Sequence, residues 1–419
     1  MGNFIDRARV CVVGLGYIGL PTALVLAETT GCVAGYEIDV RKREQIAKGD
    51  PPFVEGGIDL ALRSALDRGA LSVPDELPAA EIFIVAVPTP LGSDKTVDLT
   101  ALQSAIKQLS GKLSGDELIV VESTCPPGTT ESVRDWVLEF RPDLSAKVRE
   151  DTLQFAYCPE RVLPGRIFEE IRLNPRIVGG LTPLASTRAS KLYKTFCNGE
   201  ILTTTAKTAE VVKLAENAYR DVNIAFANEL ETISRELGIN VWEVISLANH
   251  HPRVEILKPG PGVGGHCIAV DPWFLANSTE AGGYLIETAR SVNGDKPKEV
   301  AQRVHDAVRA AGGDGETSVL VLGITFKENV DDVRESPAVE VVRLLASELQ
   351  NTRFVVVDPL ATQMPGELSI YPHLEFTREI PRDLGGFGVA VCLVGHDQFR
   401  KLTAGELANA AIIDTRGIF

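Results

Sequence analysis

The chain has 419 residues, enough for two or three domains, with 44% hydrophobic content. A formal net charge of −15 argues against nucleic acid or an anionic membrane as a partner, since both need a basic face. No apolar run approaches the roughly 20 residues that cross a bilayer, and the N-terminus lacks a signal peptide's apolar region, so a soluble cytoplasmic protein is expected.

The first element in chain order is a short apolar strand, Val10 to Val13, running into Gly14-Leu15-Gly16-Tyr17-Ile18-Gly19 and then the helical pattern from Pro21 to Ala27. Strand, G-x-G-x-x-G and helix in that order form the dinucleotide fingerprint. Gly14 makes the tight turn, Gly16 lets the backbone meet a pyrophosphate, and Gly19 permits close helix–strand packing, with the helix N-terminus facing the anion. A second strand, near Val33, ends in Glu37, placed to accept hydrogen bonds from ribose hydroxyls. A free 2′-hydroxyl, and so NAD, is expected. Arg41, Lys42 and Arg43 lie close enough to blur the preference, because an arginine there can hold a 2′-phosphate.

Further strands are expected at Ile82 to Val87, Leu118 to Glu122, Gln154 to Tyr157 and Arg176 to Val178, with helices between them. The alternation implies a doubly wound parallel sheet. From Thr208 to Leu237 the pattern becomes one long helix, followed by a shorter one from Val241 to Asn249. At about 100° per residue, Val211, Leu214, Ala215, Ala218, Val222, Ala225 and Phe226 share one side of the long helix. Lys213, Asn217 and Arg220 fall on the other, either a solvated face or a lysine turned into a cleft to act as acid or base.

Next, Gly260-Pro261-Gly262-Val263-Gly264-Gly265-His266-Cys267 sets a cysteine behind a glycine-rich turn, with Asp271 four residues on. Glycines allow close backbone approach to a ligand, which suits a presented thiol, although a buried cysteine after a turn fits as well. After the loop-like Asp314-Gly315-Glu316, strands recur at Val319 to Leu322, Phe354 to Val357, Val389 to Leu393 and Ile412 to Asp414. This second α/β unit has no G-x-G-x-x-G, so its ligand is expected to differ from NAD. The fold expected is α/β, with two Rossmann-like doubly wound parallel sheets joined by a long central helix and a small helical domain. The domains are placed at 1–205, 206–300 and 301–419. Seven cysteines without a C-x-x-C pair indicate reduced thiols. His250-His251 and His266-Cys267 lack zinc-site spacing, so no metal is expected.

Seven ordered blocks carry a family resemblance. They are Gly14 to Gly19, Val87-Pro88-Thr89-Pro90, Glu122-Ser123-Thr124-Cys125-Pro126-Pro127-Gly128, Tyr157-Cys158-Pro159-Glu160-Arg161-Val162-Leu163-Pro164-Gly165, Lys213 to Leu230, the Cys267 loop with His251-Pro252-Arg253 before it, and Phe326-Lys327 with Asp331 to Pro337. The chain resembles the UDP-glucose/GDP-mannose dehydrogenase family along essentially its whole length. The resemblance implies four-electron oxidation of a nucleotide sugar's C6 alcohol to a carboxylate, using two NAD in turn. It points most closely to a UDP-amino sugar, UDP-N-acetylmannosamine, with UDP-glucose, UDP-N-acetylglucosamine and GDP-mannose as alternatives.

The resemblance also implies roles. Cys267 traps the aldehyde; Lys213, through water shared with Asp271, takes the hydroxyl proton; Glu160 orients or activates the hydrolytic water, with Thr124 and Asn217 in support. NAD would meet Gly14, Gly16, Tyr17, Ile18, Gly19, Glu37, Lys42, Thr89, Thr124 and Arg334. The nucleotide sugar would meet Arg161, Val162, Lys213, Asn217, Arg220, His251, Arg253, Gly264, Phe326, Lys327 and Arg416. For Arg416 an ordinary surface ion pair is equally open. A homodimer is expected from the apolar central helix and from family habit. Glu37 departs from the family's usual aspartate, and Ala269 from the proline often found two residues after the nucleophile.

Overall fold

A computed structural model describes residues 9–92, 94–163, 165–265 and 267–419. Its elements run β1 (Val10–Val13), α1 (Gly19–Thr30), β2 (Val33–Tyr36), α2 (Val40–Ala47), α3 (Ile58–Asp67), β3 (Leu71–Ser72), β4 (Ile82–Val85), α4 (Thr100–Ser110), β5 (Leu118–Val121), α5 (Thr129–Phe140), α6 (Ser145–Arg149) and β6 (Gln154–Tyr157). There follow α7 (Ile167–Leu173), β7 (Arg176–Gly180), α8 (Pro183–Tyr193), β8 (Ile201–Thr205), α9 (Ala206–Glu236), α10 (Val241–Ala248), α11 (Asp271–Ala276) and α12 (Tyr284–Ala310). The C-terminal part holds β9 (Ser318–Leu322), α13 (Pro337–Glu348), β10 (Arg353–Val357), β11 (Leu374–Thr377), β12 (Val389–Cys392) and β13 (Ala411–Asp414).

The first sheet has eight strands in the order β3-β2-β1-β4-β5-β6-β7-β8, and the second five in the order β11-β10-β9-β12-β13. The central strands β1, β4 and β5 are buried on both faces, which is why they read as continuous apolar runs. Val12, Ile84 and Val120 face one core, and Val13, Val85 and Val121 the other.

One pairing departs from the parallel expectation. β7 runs antiparallel to β6, with Ala156 opposite Gly180 and Tyr157 opposite Gly179. Arg176, the first residue of β7, pairs at 2.6 Å with Glu160, three residues beyond the end of β6. That ion pair sets the start of β7 beside the end of β6, so the strand must run back. Three short strands, β3, β8 and β11, were not expected; all are edge or near-edge pieces with little apolar signal.

The chain divides into two compact units, residues 1–216 with 277–280, and residues 217–276 with 281–419. The division falls inside α9, and residue 300, where the central segment was expected to end, lies within α12, which carries Pro297 in its interior. Each unit is built on the same crossing. Gly14, at φ +92°, donates its N–H to Tyr36 O at 2.8 Å, and Gly323, at φ +89°, donates to Val357 O at 2.8 Å. The residue after each acceptor strand is acidic: Glu37 accepts from Leu15 N at 3.0 Å, and Asp358 accepts from Ile324 N at 2.7 Å.

Candidate active site

The glycine turn behaves as its spacing requires. A Cβ at Gly14 would stand 2.5 Å from Ala86 O, and one at Gly19 would stand 1.9 Å from Gly14 O, so neither position admits a side chain. Nothing lies within 4 Å of the place a Gly16 Cβ would occupy, which leaves room for a ligand against the backbone. Helix α1 begins without a side-chain cap and without an acidic residue in its first turn, so its N-terminal end suits an anion. Ile18 is its N-cap residue.

Glu37 is buried, and its carboxylate accepts from Leu15 N at 3.0 Å and Asp39 N at 3.1 Å. Glu37 thus braces the glycine turn itself, as Asp358 does in the second unit. Of the neighbouring basic residues, Arg43 is held by Glu37 O at 2.9 Å and Asp75 at 3.3 Å, while Lys42 is exposed and its backbone N–H is capped by Asp39. Tyr17 donates its hydroxyl to Glu55 at 3.0 Å. Glu55, which drew no attention in the sequence, is buried and also accepts from Gly165 N at 2.8 Å and Ile167 N at 3.1 Å. It thereby ties the glycine turn to the loop that carries Glu160, Arg161 and Val162.

Glu160 is buried, receiving Arg176 at 2.6 Å and its neighbour Arg161 N at 2.7 Å. Burial would lower the pKa of Arg176, but Glu160, Cys158 and Glu122 outweigh it and hold the guanidinium well above its ordinary value. Glu122 accepts from Tyr193 OH at 2.7 Å and Thr22 Oγ1 at 3.2 Å, and burial, only partly offset by Arg176, pushes its pKa up to about 7. Tyr193 and Phe196 stack beneath Arg176 at 4.9 and 5.2 Å.

Thr89 Oγ1 donates to Thr124 O at 2.5 Å, so these two expected cofactor residues do meet. The Thr124 loop leads into α5, whose N-terminus is fastened by Glu210 of α9. Glu210 is fully buried and accepts from Gly128 N at 2.6 Å, Thr130 N at 2.8 Å and Thr130 Oγ1 at 2.6 Å.

In the second unit the glycine loop before Cys267 is closely fitted. A Cβ at Gly264 would lie 2.2 Å from Glu335 O and one at Gly260 would lie 2.5 Å from Arg416, while Phe326 packs 3.3 Å from a Cβ built at Gly265. Gly264, Phe326 and Arg416, widely separated in sequence, are therefore brought to one loop, with Arg416 against the Gly260 backbone. Cys267 is exposed, and Asp271, at the start of α11, is buried with Asn217 donating to it at 2.5 Å. His266 lies outside the described residues.

Lys327 is exposed at the tip of a loop fastened from within. Thr325 Oγ1 donates to Lys327 O at 3.0 Å, and His396 is fully buried between Thr325 at 3.1 Å and Asp358 at 3.3 Å. Its other ring nitrogen receives Asn329 N at 3.0 Å. Burial would raise the pKa of Asp358, but His396 and the Ile324 and Ala361 amides hold it down at about 2.

The angular reading of α9 needs correction. Lys213 is buried, whereas Ala215 and Phe226, assigned to the packing side, are exposed. The helix meets different neighbours along its length, so one stripe cannot describe it: Ala206 and Ala209 join the core of the first sheet, while Asp221 and Asn228 face α12. Arg220, His251 and Arg253 are exposed, with His251 Nδ1 accepting from Arg253 N at 3.3 Å. Arg334 is exposed and forks onto Asp332 at 2.6 Å, and Arg161 pairs with Glu216 at 3.1 Å. Of the expected catalytic residues, Thr124, Glu160 and Lys213 lie in the first unit, and Asn217, Cys267 and Asp271 in the second.

Sequence comparison matches the three domains of one family along the chain: the NAD binding domain over residues 8–197, the central domain over 207–295 and the UDP binding domain over 320–419. The chain belongs to the UDP-glucose/GDP-mannose dehydrogenase family. It is an NAD-dependent dehydrogenase of nucleotide sugars. An NDP-N-acetyl-D-galactosaminuronic acid dehydrogenase of Ralstonia solanacearum is 45% identical over 418 residues, 99% of this chain and 97% of the relative. A UDP-N-acetyl-D-mannosamine dehydrogenase of Yersinia pestis is 44% identical over 418 residues, 98% of this chain and 99% of its own. Among solved structures, a UDP-D-ManNAc dehydrogenase of Pyrococcus horikoshii superposes with a TM-score of 0.85 at 35% identity, covering 98% of this chain and 96% of that one. No helix among the described residues is long and apolar enough to cross a membrane.

Proposed function

We propose that the enzyme oxidises UDP-N-acetyl-D-mannosamine at C6 to the uronate through a thioester on Cys267. The observation that carries this reading is the exposed Cys267 at the end of a closely fitted glycine loop, in a chain 44% identical to the Yersinia enzyme. NAD, when bound, accepts the hydride in each of two oxidations; the geometry of Gly14, Gly16 and Gly19 suits its pyrophosphate, and the Glu37 bond to Leu15 N supports a place for Glu37 beside it, with Thr89 and Thr124 as further cofactor contacts.

The roles assigned to this chain's residues are as follows. Lys213 takes the C6 hydroxyl proton, directly or through water, as hydride leaves, with Asn217 and Asp271 holding the polar surroundings. The aldehyde formed is captured by the Cys267 thiolate as a thiohemiacetal, and loss of its hydride leaves a thioester. Water adds to the thioester, and the carbon–sulfur bond breaks to give carboxylate and thiol. Over the cycle one alcohol, two NAD and one water become one carboxylate, two NADH and three protons. Glu160, tied to Arg176 at 2.6 Å, orients or activates that water. Lys327 binds the diphosphate, and Arg161, Val162, Arg220, His251, Arg253, Gly264, Phe326 and Arg416 surround sugar and base, while Arg334 reaches NAD.

The gaps between the family matches, at 198–206 and 296–319, support a division into cofactor, central and nucleotide-sugar domains. Tyr219, Phe226 and Ile233 recur seven apart on α9, 67, 54 and 46% exposed, and support dimerisation through that helix. The product, an aminouronic acid on a nucleotide, suits a cytoplasmic supply of surface polysaccharide precursors. A second reading, an N-acetylgalactosamine-type nucleotide sugar, is favoured by the Ralstonia relative at 45% identity.

The test is NADH released from limiting UDP-N-acetylmannosamine, run beside UDP-N-acetylgalactosamine, UDP-N-acetylglucosamine, UDP-glucose and GDP-mannose. Two NADH per UDP-N-acetylmannosamine, and little from the others, is expected. One NADH per sugar would refute the thioester route, and two from a different sugar would keep the route and replace the substrate.

A further inference from the structure

We propose that Asn228 is the positioning residue of the Cys267 loop, an assignment that rests on the nucleophilic reading of Cys267. The loop begins Lys258-Pro259-Gly260-Pro261-Gly262. Proline has no N–H, so Gly260 carries the single backbone donor between the two prolines. That donor is satisfied by Asn228 Oδ1 at 2.9 Å, at a buried position. A loop with glycine at 260, 262, 264 and 265 has wide conformational freedom, and this bond fixes where it starts.

Asn228 is itself held on all sides. It is fully buried on α9, and its Nδ2 donates to Asn293 Oδ1 at 2.8 Å. Asn293 Nδ2 donates to Asp221 O at 3.0 Å and Asp221 Oδ1 at 2.8 Å, and Asp221 receives Arg290 at 2.6 Å. The amide orientation of Asn228 is thus dictated by a chain running along α12: with Asn293 Oδ1 facing its donor, Oδ1 of Asn228 must face Gly260. The far end of the loop is pinned by Glu335, whose carbonyl accepts Gly265 N at 3.3 Å and whose φ of +52° is unusual for a side chain of this size. Backbone held in that region at a site is an observed strain that the surrounding contacts must maintain. Two anchors, one an amide side chain and one a strained carbonyl, therefore fix the loop that ends in the thiol.

Misplacing a nucleophile by about 1 Å costs on the order of 100-fold in rate without removing any reacting group. The first hydride transfer does not use Cys267 and the second does, so a positioning role predicts a split between the two. Asn228→Ala, followed in a single turnover with limiting nucleotide sugar, should release the first NADH near the wild-type rate and the second about 100-fold more slowly. Asn228→Asp, which keeps an acceptor for Gly260, should recover at least part of that loss.

Equal slowing of both NADH, or no slowing of either, overturns the proposal. The control is Cys267→Ser: if it stalls after the first NADH while Asn228→Ala does not, Asn228 fails alone. If Cys267→Ser releases both at the wild-type rate, the thioester reading has failed. Hydrogen exchange of the wild-type enzyme needs no variant. The lone amide of Gly260 should be strongly protected, and exchange at the rate of an open amide refutes the anchor.

Discussion

A buried carboxyl sharing an arginine with the proposed water-orienting Glu160 is the most consequential residue that the sequence left without a role. Glu122 has an ordinary pKa of 4.5 and burial lifts it to about 7. A carboxyl raised on folding contributes stability in full below its unfolded pKa, and that contribution is lost as pH rises through the folded pKa. From pH 4.5 to above 7 the loss amounts to about 3 kcal/mol, the differential that such a displacement represents. Glu122→Gln keeps an acceptor for Tyr193 and cannot ionise. It should therefore gain on the wild type by up to about 3 kcal/mol between pH 5 and 8, read as melting temperatures across that range. Parallel pH profiles for the two proteins would contradict the assignment. Glu122 and Arg176 were invisible because their partnership comes from strands distant in sequence. Glu160 and Cys267 stood inside motifs that spell their setting out locally.

Among elements, the glycine turn allows a sharper test than simple loss of binding. Gly19→Ala places a Cβ 1.9 Å from Gly14 O and should destabilise the fold by about 1–3 kcal/mol, the cost of overpacking. Gly16→Ala meets nothing within 4 Å, so the melting temperature should hardly change while NAD affinity falls about tenfold or more as the methyl fills the ligand's space. Calorimetric NAD titration beside thermal melts separates the two; equal destabilisation by both would refute the division of roles. The strands at the centre of both sheets were legible because burial on two faces leaves an unbroken apolar run. The edge strand β8 was not, since three of its five residues are exposed and none is buried. The long helix was legible in extent, Thr208 to Leu237 against Ala206–Glu236, but its faces were not. A helical wheel assumes one neighbour, and α9 has several.

At the scale of the whole molecule, the proposed dimer makes its own demand. Phe226, 54% exposed on α9, would be buried by a second copy, and Phe226→Asp should halve the mass seen by sedimentation at micromolar concentration without lowering the melting temperature of the monomer. An unchanged mass would remove α9 as the interface. The repeated crossing at Gly14 and Gly323 escaped sequence inspection because only one of its two copies carries the glycine spacing. What the copies share is backbone geometry: a left-handed glycine and an acidic residue after the next strand. The acidic groups differ in what remains to them, since among the described residues Asp358 accepts from Ile324, Thr325, Leu360 and Ala361 amides and Glu37 from Leu15 and Asp39.

The cysteines carry a consequence for the protein's tolerance of oxidants. Five of the seven are buried, and burial pushes Cys11 and Cys158 up to about 12 and Cys392 higher still, which keeps those sulfurs protonated at any physiological pH. Peroxide and electrophiles attack the ionised, accessible sulfur. Only Cys32 and Cys267 meet the condition of access, so damage to this enzyme under oxidative stress is channelled toward two positions, one of them the thiol on which its proposed chemistry depends.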